Sequence, residues 1–416
     1  MRKLFLYAYL FIQLNLIAET RQQTQILEPN IKTLQVGILG EKISLPILSL
    51  NGTEVMNIGF DEMSHQAHSY SYKVLHCNAD WSLSSINTNE FLNGFTTGDI
   101  TGSRLSMNTS IQYTHYNFNL PNENMSFKIS GNYVVLVYED NKQDKPILQA
   151  CFSIAEPRVS ISASIRGNTD TELNGKLQQL DFDINLNGYK VNDVNSELKV
   201  KVQQNNRTDN EITQLSPTYI SDTKLSYVNN KALIFEGGNE YHRFDISSVY
   251  AASEGIDAIR FERPNYHAFL TPNKIQKTNG YTQDFDVNGR FVINLQNSDD
   301  GDIDADYMFV HFNLPSPQPY FDGQVFIGGD LNYNLLNSTA RMEYDRNSGK
   351  YFHTLLLKQG GYNYQYWFKP KGEQKAYAER VEGSYWQARN EYTIYVYHRA
   401  WGERYDKLVG IKTVEK

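Results

Sequence analysis

Short segments in which apolar and polar residues alternate recur along the chain, and they constrain its fold more than any other feature. Residues 113–120 alternate strictly with a period of two, and residues 133–138 are almost continuously apolar. Period-two alternation is typical of a strand buried on one face, and a continuous apolar run is typical of a central strand buried on both faces. Turn residues separate these segments at regular intervals. The sequence therefore predicts an all-β protein built of β-sandwiches.

The composition supports this fold class and excludes some partners. Aromatic residues make up 13% of the 416 residues, with 29 Tyr and 21 Phe, and such side chains suit the half-buried surface of a sheet. The formal net charge of −8 argues against nucleic acid, which requires a basic surface. It also gives no support for docking on an anionic bilayer. The length allows about two to four domains.

The N-terminus has the pattern of an export signal. Arg2 and Lys3 precede an apolar run at residues 4–18 that is too short and too polar to span a membrane as a helix. Ala18 is the small residue where cleavage is expected, so residues 1–18 are predicted to be a signal peptide. No Cys follows the run to carry a lipid, and no second hydrophobic run occurs. The mature protein is therefore expected to be exported and soluble, without insertion into the bilayer.

Proline-containing segments mark the predicted domain boundaries. Pro157 follows a strand-like segment, and residues 315–319 contain three alternating prolines, which favour an extended, semi-rigid backbone. We therefore predict tandem immunoglobulin-like β-sandwiches: an N-terminal domain at 26–156, a middle domain at 157–316 and a C-terminal domain at 320–414.

Residues 70–81 combine a strand with an unusual set of side chains. His76, Cys77, Asp80 and Trp81 directly follow or end the predicted strand at 70–75. A nucleophilic Cys–His pair would need both side chains within hydrogen-bond reach, but neighbours on a strand point to opposite faces. We therefore interpret the stretch as a fixed structural joint, in which Asp80 bonds turn backbone and Trp81 packs on the sheet.

The acidic residues at 299–306 are spaced two apart, as in calcium-binding loops. Counting from Asp300, however, Ala305 and His311 stand where an EF-hand requires Gly and Glu. The segment is therefore predicted to be the solvated tip of a hairpin formed by residues 291–314, and no metal site is predicted.

The two cysteines, Cys77 and Cys151, fit either two buried thiols or one disulfide, because spacing alone does not distinguish these arrangements. No nucleophile-elbow, zinc-protease, dinucleotide-binding or P-loop motif occurs. We therefore predict no catalytic residue, no cofactor and no small-molecule substrate, and binding is the default function.

The C-terminal segment also resembles the immunoglobulin-like glycan-binding modules attached to glycogen-active enzymes. Tyr333 and Trp367 are its candidate sugar-stacking residues, although their alternation with other strand residues favours packing instead.

Ordered sequence blocks resemble the plug protein family of the type IX secretion system of Bacteroidetes. They keep the family order from about residue 30 to residue 411 and comprise residues 76–81, 90–95, 113–116, 120–122, 130–133, 204–210, 238–245, 306–312, 357–360, 382–384, 390–392 and 404–408. The candidate structural or interface residues within them are His76, Asn78, Asp80, Trp81, Tyr113, His115, Arg207, Asp209, Asn239, Glu240, Arg243 and Asp245.

The resemblance implies a non-enzymatic periplasmic protein that binds and seals the periplasmic opening of the large outer-membrane translocon barrel. No catalytic residues are attributed to that family. The alternative function is that of a periplasmic glycan-binding protein that uses the C-terminal module. Tyr333 stands where the family pattern leads us to expect Trp, which weakens a sugar-stacking role.

Overall fold

The structure, a computed structural model, describes residues 21–140, 142, 145–173, 175–273, 281–298 and 300–416. The predicted signal peptide at 1–18 lies outside these residues. The first strands are β1 (Gln25–Ile26), β2 (Ile31–Ile38), β3 (Ile47–Ser49), β4 (Met56–Glu62), β5 (Tyr70–Cys77), β6 (Leu92–Gly94), β7 (Thr97–Ile100), β8 (Gly102–Leu105), β9 (Thr114–Leu120), β10 (Met125–Phe127), β11 (Gly131–Glu139) and β12 (Pro146–Ala155).

The chain continues through a second and a third series of strands. The second series is β13 (Ser160–Arg166), β14 (Leu177–Asn185), β15 (Leu198–Gln204), β16 (Tyr219–Ile220), β17 (Lys224–Tyr227), β18 (Ile234–Glu236), β19 (His242–Asp245), β20 (Ile256–Glu262), β21 (Asn265–Leu270), β22 (Phe291–Ile293) and β23 (Tyr307–Pro315). The third is β24 (Gly323–Gly328), β25 (Glu343–Asp345), β26 (Lys350–Lys358), β27 (Gly360–Pro370), β28 (Glu391–His398) and β29 (Lys407–Glu415). The described residues also contain four single-turn α-helices, α1 (Thr88–Phe91), α2 (Val194–Glu197), α3 (Gly301–Asp304) and α4 (Glu379–Glu382), and two 3-10 helices at Lys231–Leu233 and Asp330–Asn332.

The first hydrophobic core lies between two sheets formed by residues 25–155. One sheet has the order β1-β12-β11-β5-β7, and the other has the order β2-β4-β9-β8. Tyr133, Val135 and Val137 of β11 pack into this core with Phe60 and Tyr116 of the facing sheet. Strand β11 lies between β12 and β5, as expected for the apolar run at 133–138.

The second core joins segments that are far apart in the sequence. One sheet contains β13-β14-β17-β16 with β18, and the other has the order β15-β28-β29. Their shared core includes Leu180 and Leu225 from the first sheet and Val200, Ile394 and Val409 from the second. The last strands of the chain therefore complete the sandwich that residues 160–236 begin.

The third core is formed by the intervening residues 242–382. A five-stranded sheet, β20-β21-β23-β26-β25, faces a sheet in which β19, β22 and β24 all pair with β27. Met308 and Val310 of the first sheet pack with Phe244, Tyr362 and Tyr364 of the second.

The prediction of an all-β fold made of β-sandwiches is confirmed. The predicted division into 157–316 and 320–414 does not describe these sheets, because β15 pairs with β28 and β23 pairs with β26. We propose a division that follows the cores instead: an N-terminal domain (25–155), a central domain (160–236 with 391–415) and an inserted domain (242–382). The prolines at 315–319 follow β23 within the inserted domain.

Candidate functional site

The family-motif residues gather mainly at three interfaces between the domains. We call these the N–central, N–inserted and central–inserted interfaces after the domains that they join. The side chains at each interface are largely buried and bonded across it, so they form contacts within the protein.

The turn after β5 begins the N–central interface. Asp80 Oδ1 accepts hydrogen bonds from the Ser82 amide at 3.0 Å and the Ser82 hydroxyl at 2.6 Å. Trp81 adopts a left-handed backbone with φ of 67°, and its half-buried ring packs on Cys77, Val134 and Cys151. The prediction that Asp80 bonds turn backbone and Trp81 packs on the sheet is therefore confirmed.

Asp406 is the charged centre of the N–central interface, and its side chain is fully buried. Its Oδ2 accepts from the Ala79 amide at 2.9 Å and from Lys199 Nζ at 3.0 Å. Its Oδ1 accepts from Arg399 Nε at 2.9 Å. Arg399 Nη2 in turn donates to Asn78 Oδ1 at 2.6 Å. One carboxylate of the central domain thus holds the backbone of the N-terminal domain's motif turn.

Asn132 makes three hydrogen bonds, one of which crosses the same interface. Its Oδ1 accepts from Tyr397 OH at 2.9 Å and from Ser153 Oγ at 2.8 Å, and its Nδ2 donates to the Asn78 carbonyl at 2.9 Å. The Tyr397 contact links β28 of the central domain directly to β11.

His76 and Cys77 do not form a nucleophilic pair. His76 lies between the rings of Tyr133 and Tyr405, and burial lowers its pKa to about 4. Burial raises the pKa of Cys77 to about 12, so the thiolate is scarce at neutral pH. Cys77 and Cys151 are both free and buried, on the two strands that flank β11.

A buried ion pair forms the centre of the N–inserted interface. Asp61 Oδ2 accepts from Lys358 Nζ at 2.7 Å and from Tyr307 OH at 2.6 Å, and Asp61 Oδ1 lies 2.7 Å from His115 Nδ1. The Lys358 and Asp61 side chains are only 2% and 1% exposed. Burial by itself would raise the pKa of Asp61, but Lys358 and His115 outweigh it and the pKa is lowered. Lys358 Nζ also lies 4.3 Å from the centre of the Tyr113 ring.

The acidic segment before β23 belongs to this interface. Arg104 of the N-terminal domain donates to Asp300 at 2.5 Å and to Asp302 at 3.1 Å, while Asp306 accepts from the amides of Ser110 and Ile111. The prediction of a solvated hairpin tip is wrong for the described part of this segment. The flanking strands β22 and β23 lie in different sheets, and the carboxylates bond the N-terminal domain.

Arg207 is the centre of the central–inserted interface. Its guanidinium donates to both carboxylate oxygens of Asp209, at 3.0 and 2.7 Å, and to the Ala376 carbonyl at 2.7 Å. It also lies 3.9 Å from the centre of the Trp367 ring. The Ala376 amide donates to Asp209 Oδ2 at 2.9 Å. Trp367 is fully buried, so its ring is not an exposed platform for a sugar.

The glycine corner before β19 supplies further bonds. Asn239 Nδ2 donates to the Glu382 carbonyl at 3.0 Å, and the Asn239 carbonyl accepts from Gln365 Nε2 at 2.5 Å. Glu240 accepts from the Arg389 amide at 3.2 Å. These contacts fix the point where the chain leaves the central domain.

Arg243 and Asp245 make contacts inside the inserted domain instead. Arg243 pairs with Glu254 at 2.7 Å and with Asp284 at 3.0 Å, and Asp245 accepts from the Ser247 amide at 2.7 Å. The structure therefore does not bring these two motif residues to an interface.

The candidate residues chosen from the sequence omitted Asp61, Lys358 and Asp406. Phe60 and Leu357 face the cores of their domains, so their strand neighbours Asp61 and Lys358 lie on the outward faces of β4 and β26, where the sequence pattern leads us to expect solvent-exposed charges. Their partner could not be identified, because the two residues are distant in the sequence.

A cavity of about 310 Å³ lies where the three domains meet. Residues 34–46 of the N-terminal domain line it, together with Asn206, Arg290, Asp330 and Tyr333. Arg290 pairs with Glu391 at 2.5 Å. Asp330 Oδ1 accepts from Asn334 Nδ2 at 2.7 Å, and burial raises the pKa of Asp330 to about 6.

We expect the contribution of Asp330 to stability to be lost as the pH rises. Its folded-state pKa lies above the ordinary value of 3.8, so the folded protein binds this proton more tightly than the unfolded chain. The stabilisation is complete below about pH 4 and is lost as the pH passes about 6. Above about pH 6 the unfolding free energy of Asp330→Asn should therefore exceed that of the wild type by about 3 kcal/mol, because the folded-state pKa of about 6 exceeds 3.8 by roughly 2 and each pKa unit is worth about 1.4 kcal/mol.

Urea unfolding of both proteins across this range measures the effect, and the difference should vanish near pH 4. Asp302→Asn is the matched control, because Asp302 lines the same cavity but is 43% exposed and paired with Arg104. A pH-independent difference between Asp330→Asn and the wild type would contradict the expectation.

The described residues contain no group of three or more His, Cys, Asp or Glu side chains arranged to hold a metal ion. None of the helices found in those same residues has the length and apolar character needed to cross a bilayer.

Comparison with known proteins identifies the family. A family model described as the first domain of the type 9 secretion system plug protein matches residues 31–156. The crystal structure of a hypothetical protein from Parabacteroides merdae ATCC 43184 is 40% identical, covers 95% of this chain and 100% of its own, and superposes with a TM-score of 0.94. No curated protein matches the chain. The chain belongs to the plug protein family of the type IX secretion system.

Proposed function

We propose that this protein is a non-enzymatic plug that binds the periplasmic opening of the type IX translocon barrel and seals it. Family membership relates the chain to type IX secretion and to the cell envelope. A large barrel has a water-filled lumen unless something closes it. A protein that closes such a lumen has to keep its shape while it is bound.

The observation that best supports this proposal is the buried polar character of the domain interfaces. Separating the N-terminal and inserted domains would part Asp61 from Lys358, and each would then need a new partner or water. Removing one partner of a buried ion pair leaves an uncompensated charge and is strongly destabilising. The three sandwiches should therefore move as one stiff body, which suits a seal.

A plug must also leave the barrel when a substrate passes. A protein that is soluble while free exposes few large apolar patches. We therefore expect many of its contacts with the barrel to be polar and the complex to be reversible. Opening would then be a shift between bound and free populations, set by whatever competes for the barrel.

The two candidate sugar-stacking residues of the glycan-binding alternative, Tyr333 and Trp367, make contacts within the protein instead. Trp367 is buried beneath Arg207. Tyr333 accepts a hydrogen bond from the Leu34 amide at 3.0 Å and packs against the core of the N-terminal domain. The Trp367 ring therefore has no free face on which a sugar could stack, and the half-buried Tyr333 ring is engaged with the N-terminal domain.

Deleting the gene tests the proposed function. We expect the outer membrane to become permeable to a bulky polar antibiotic that it normally excludes, while secretion remains largely intact. The wild-type protein should restore exclusion and should co-purify with the barrel. Unchanged uptake together with no co-purifying barrel would refute the proposal.

We also propose that export removes residues 1–18 as a signal peptide. The intact mass of the protein purified from the periplasm should lack these residues and carry no lipid. A mass that includes them, or an added acyl chain, would exclude this maturation.

A further inference from the structure

The cavity at the junction of the three domains has the size and the access of a ligand site, and we call it the three-domain cavity. Its volume is about 310 Å³. Small-molecule pockets measure about 300–1,000 Å³ and occur preferentially at domain interfaces. Residues 39–43 line the cavity and are all exposed, so it is reached from solvent along this loop.

Most charged side chains that line the three-domain cavity are balanced or hydrated. Arg290 pairs with Glu391 at 2.5 Å, and Asp302 pairs with Arg104 at 3.1 Å. Residues 41–42, a glutamate and a lysine, are exposed to solvent and have opposite charges. None of these residues therefore needs a ligand to balance its charge.

Asp330 differs from these residues because its carboxylate has neutral partners. Its Oδ1 accepts from the amide of Asn334 at 2.7 Å, and it also has a hydrogen bond with the Asn206 side chain. Burial raises the pKa of Asp330 to about 6; the Arg290 charge opposes this effect, and the Glu391 charge offsets part of what Arg290 contributes. Among the residues that the structure describes, no cation forms an ion pair with Asp330.

The carboxylate of Asp330 distinguishes between classes of ligand. An anion would bring further negative charge to a buried carboxylate, while the nearby Arg290 is already paired. Ca²⁺ takes about six to eight oxygen ligands, and the described part of the chain has no group of three or more His, Cys, Asp or Glu side chains arranged for a metal. A primary ammonium group carries one positive charge and three donors, which matches a single carboxylate in a charge-assisted hydrogen bond.

The apolar part of the lining indicates the rest of the ligand. Val36 and Ile38 of β2 and Phe291 of β22 line the cavity beside Asp330. Ligand pockets commonly combine such apolar side chains with a few polar groups that fix the orientation of the ligand. A short apolar body attached to the ammonium group would therefore match this lining.

We propose that the three-domain cavity binds a small molecule with one primary ammonium group on a short apolar body, and that Asp330 is its counter-charge. The N-terminal domain contributes residues 34–46 to the lining, the central domain contributes Asn206, and the inserted domain contributes Arg290 and Asp330. A ligand in this position touches all three domains, and its binding stabilises their folded arrangement. The inference goes beyond the proposed plug function and does not depend on it.

A series of ligands with one carbon skeleton tests the chemical class. n-Butylammonium, 1-butanol and butyrate have similar bodies and differ in charge. In NMR titrations of the purified protein at low salt and about pH 7.5, we expect saturable binding of n-butylammonium, with the alcohol and the carboxylate at least about tenfold weaker. Equal binding of the three compounds would overturn the proposal.

Two asparagine variants test the role of Asp330. Asp330→Asn keeps the size of the side chain but removes its charge, so it should weaken n-butylammonium binding at least about tenfold. Asp302→Asn is the matched control and should stay within about twofold, because Asp302 lines the same cavity but is 43% exposed and paired with Arg104. Melting temperatures check that both variants fold. Binding by Asp330→Asn as tight as that of the wild type would refute the assignment of the counter-charge.

The pH dependence of binding provides a readout that loss of packing would not produce. Asp330 binds the ammonium group only when it is ionised, and about a tenth of it is ionised at about pH 5. Binding to the wild type should therefore weaken about tenfold between about pH 7.5 and pH 5, whereas the residual binding of Asp330→Asn should not change. The charged groups that act on Asp330 are Arg290 and Glu391, which are paired with each other. Wild-type binding that is independent of pH would contradict the proposal.

The same titrations distinguish two rival occupants. If potassium or ammonium ions bind as tightly as n-butylammonium, the site takes an inorganic monovalent cation and the proposed organic ligand is wrong. Lys42 also lines the cavity, and its own ammonium group is the second rival. We expect Lys42→Ala to bind n-butylammonium within about twofold of the wild type. If only Lys42→Ala binds it, Lys42 occupies the site in the wild type and the cavity is not a ligand site.

Discussion

Replacing Lys358 with alanine should lower the free energy of unfolding by about 3–5 kcal/mol. The change removes the ammonium group that lies 2.7 Å from Asp61 Oδ2, in a site where both side chains are almost completely buried. The Asp61 carboxylate would keep its contacts with His115 and Tyr307 but lose its balancing charge. Urea unfolding at neutral pH measures the loss.

Two further variants distinguish charge burial from simple loss of contact. Arg104→Ala removes an exposed ion pair at the same interface and should cost less than about 1 kcal/mol. The double variant Asp61→Asn/Lys358→Met should recover much of the loss, because it removes both charges and fills similar volumes. A cost for Lys358→Ala no larger than that of Arg104→Ala would mean that the pair does not hold the interface.

The sequence predicted the strands well because their signals are local. Alternation at 113–120 and the apolar run at 133–138 depend only on neighbouring residues, and β9 and β11 follow them closely. Which strands share a sheet depends on pairing between distant segments. The pairing of β15 with β28 leaves no trace in either segment, so the insertion of one domain into another was missed.

The prolines at 315–319 misled the domain prediction for a physical reason. Proline restricts the local backbone, but it does not show whether the following strand joins a new core or returns to the old one. The chain turns here and comes back to the same sandwich, where β24 pairs with β27.

The sequence identified many of the residues at the domain interfaces but not the contacts that they make there. The stretch from His76 to Trp81 was interpreted as structural because neighbours on a strand point to opposite faces, and its side chains make contacts within the protein. The sequence could not predict the hydrogen bond from the Ala79 amide to Asp406, because no sequence signal connects the two residues. The acidic segment near Asp302 was taken for a solvated tip for the same reason: its cationic partner, Arg104, is remote in the sequence.

The second large effect is expected at the N–central interface. Asp406→Ala should cost about 2–3 kcal/mol, because the Ala79 amide loses its acceptor in a buried position, while Lys199 and Arg399, whose side chains are 45% and 30% exposed, lose their counter-charge. Asp80→Ala is the matched control: its carboxylate accepts its hydrogen bonds from Ser82 of the local turn, and a cost of about 1 kcal/mol is expected.

The Asp406→Ala variant tests whether the seal requires a stiff protein or only a protein that binds the barrel. The Asp406 side chain is fully buried, so its removal leaves the exposed groups of the protein in place and the folded variant should still co-purify with the barrel. Its N-terminal and central domains would be less firmly joined, so limited proteolysis should cut between them, near residues 156–159, faster than in the wild type. If stiffness makes the seal, cells carrying this variant should admit the bulky antibiotic although the protein remains bound. Full exclusion of the antibiotic by a variant that is destabilised and cleaved faster would show that the seal does not depend on a rigid N–central interface.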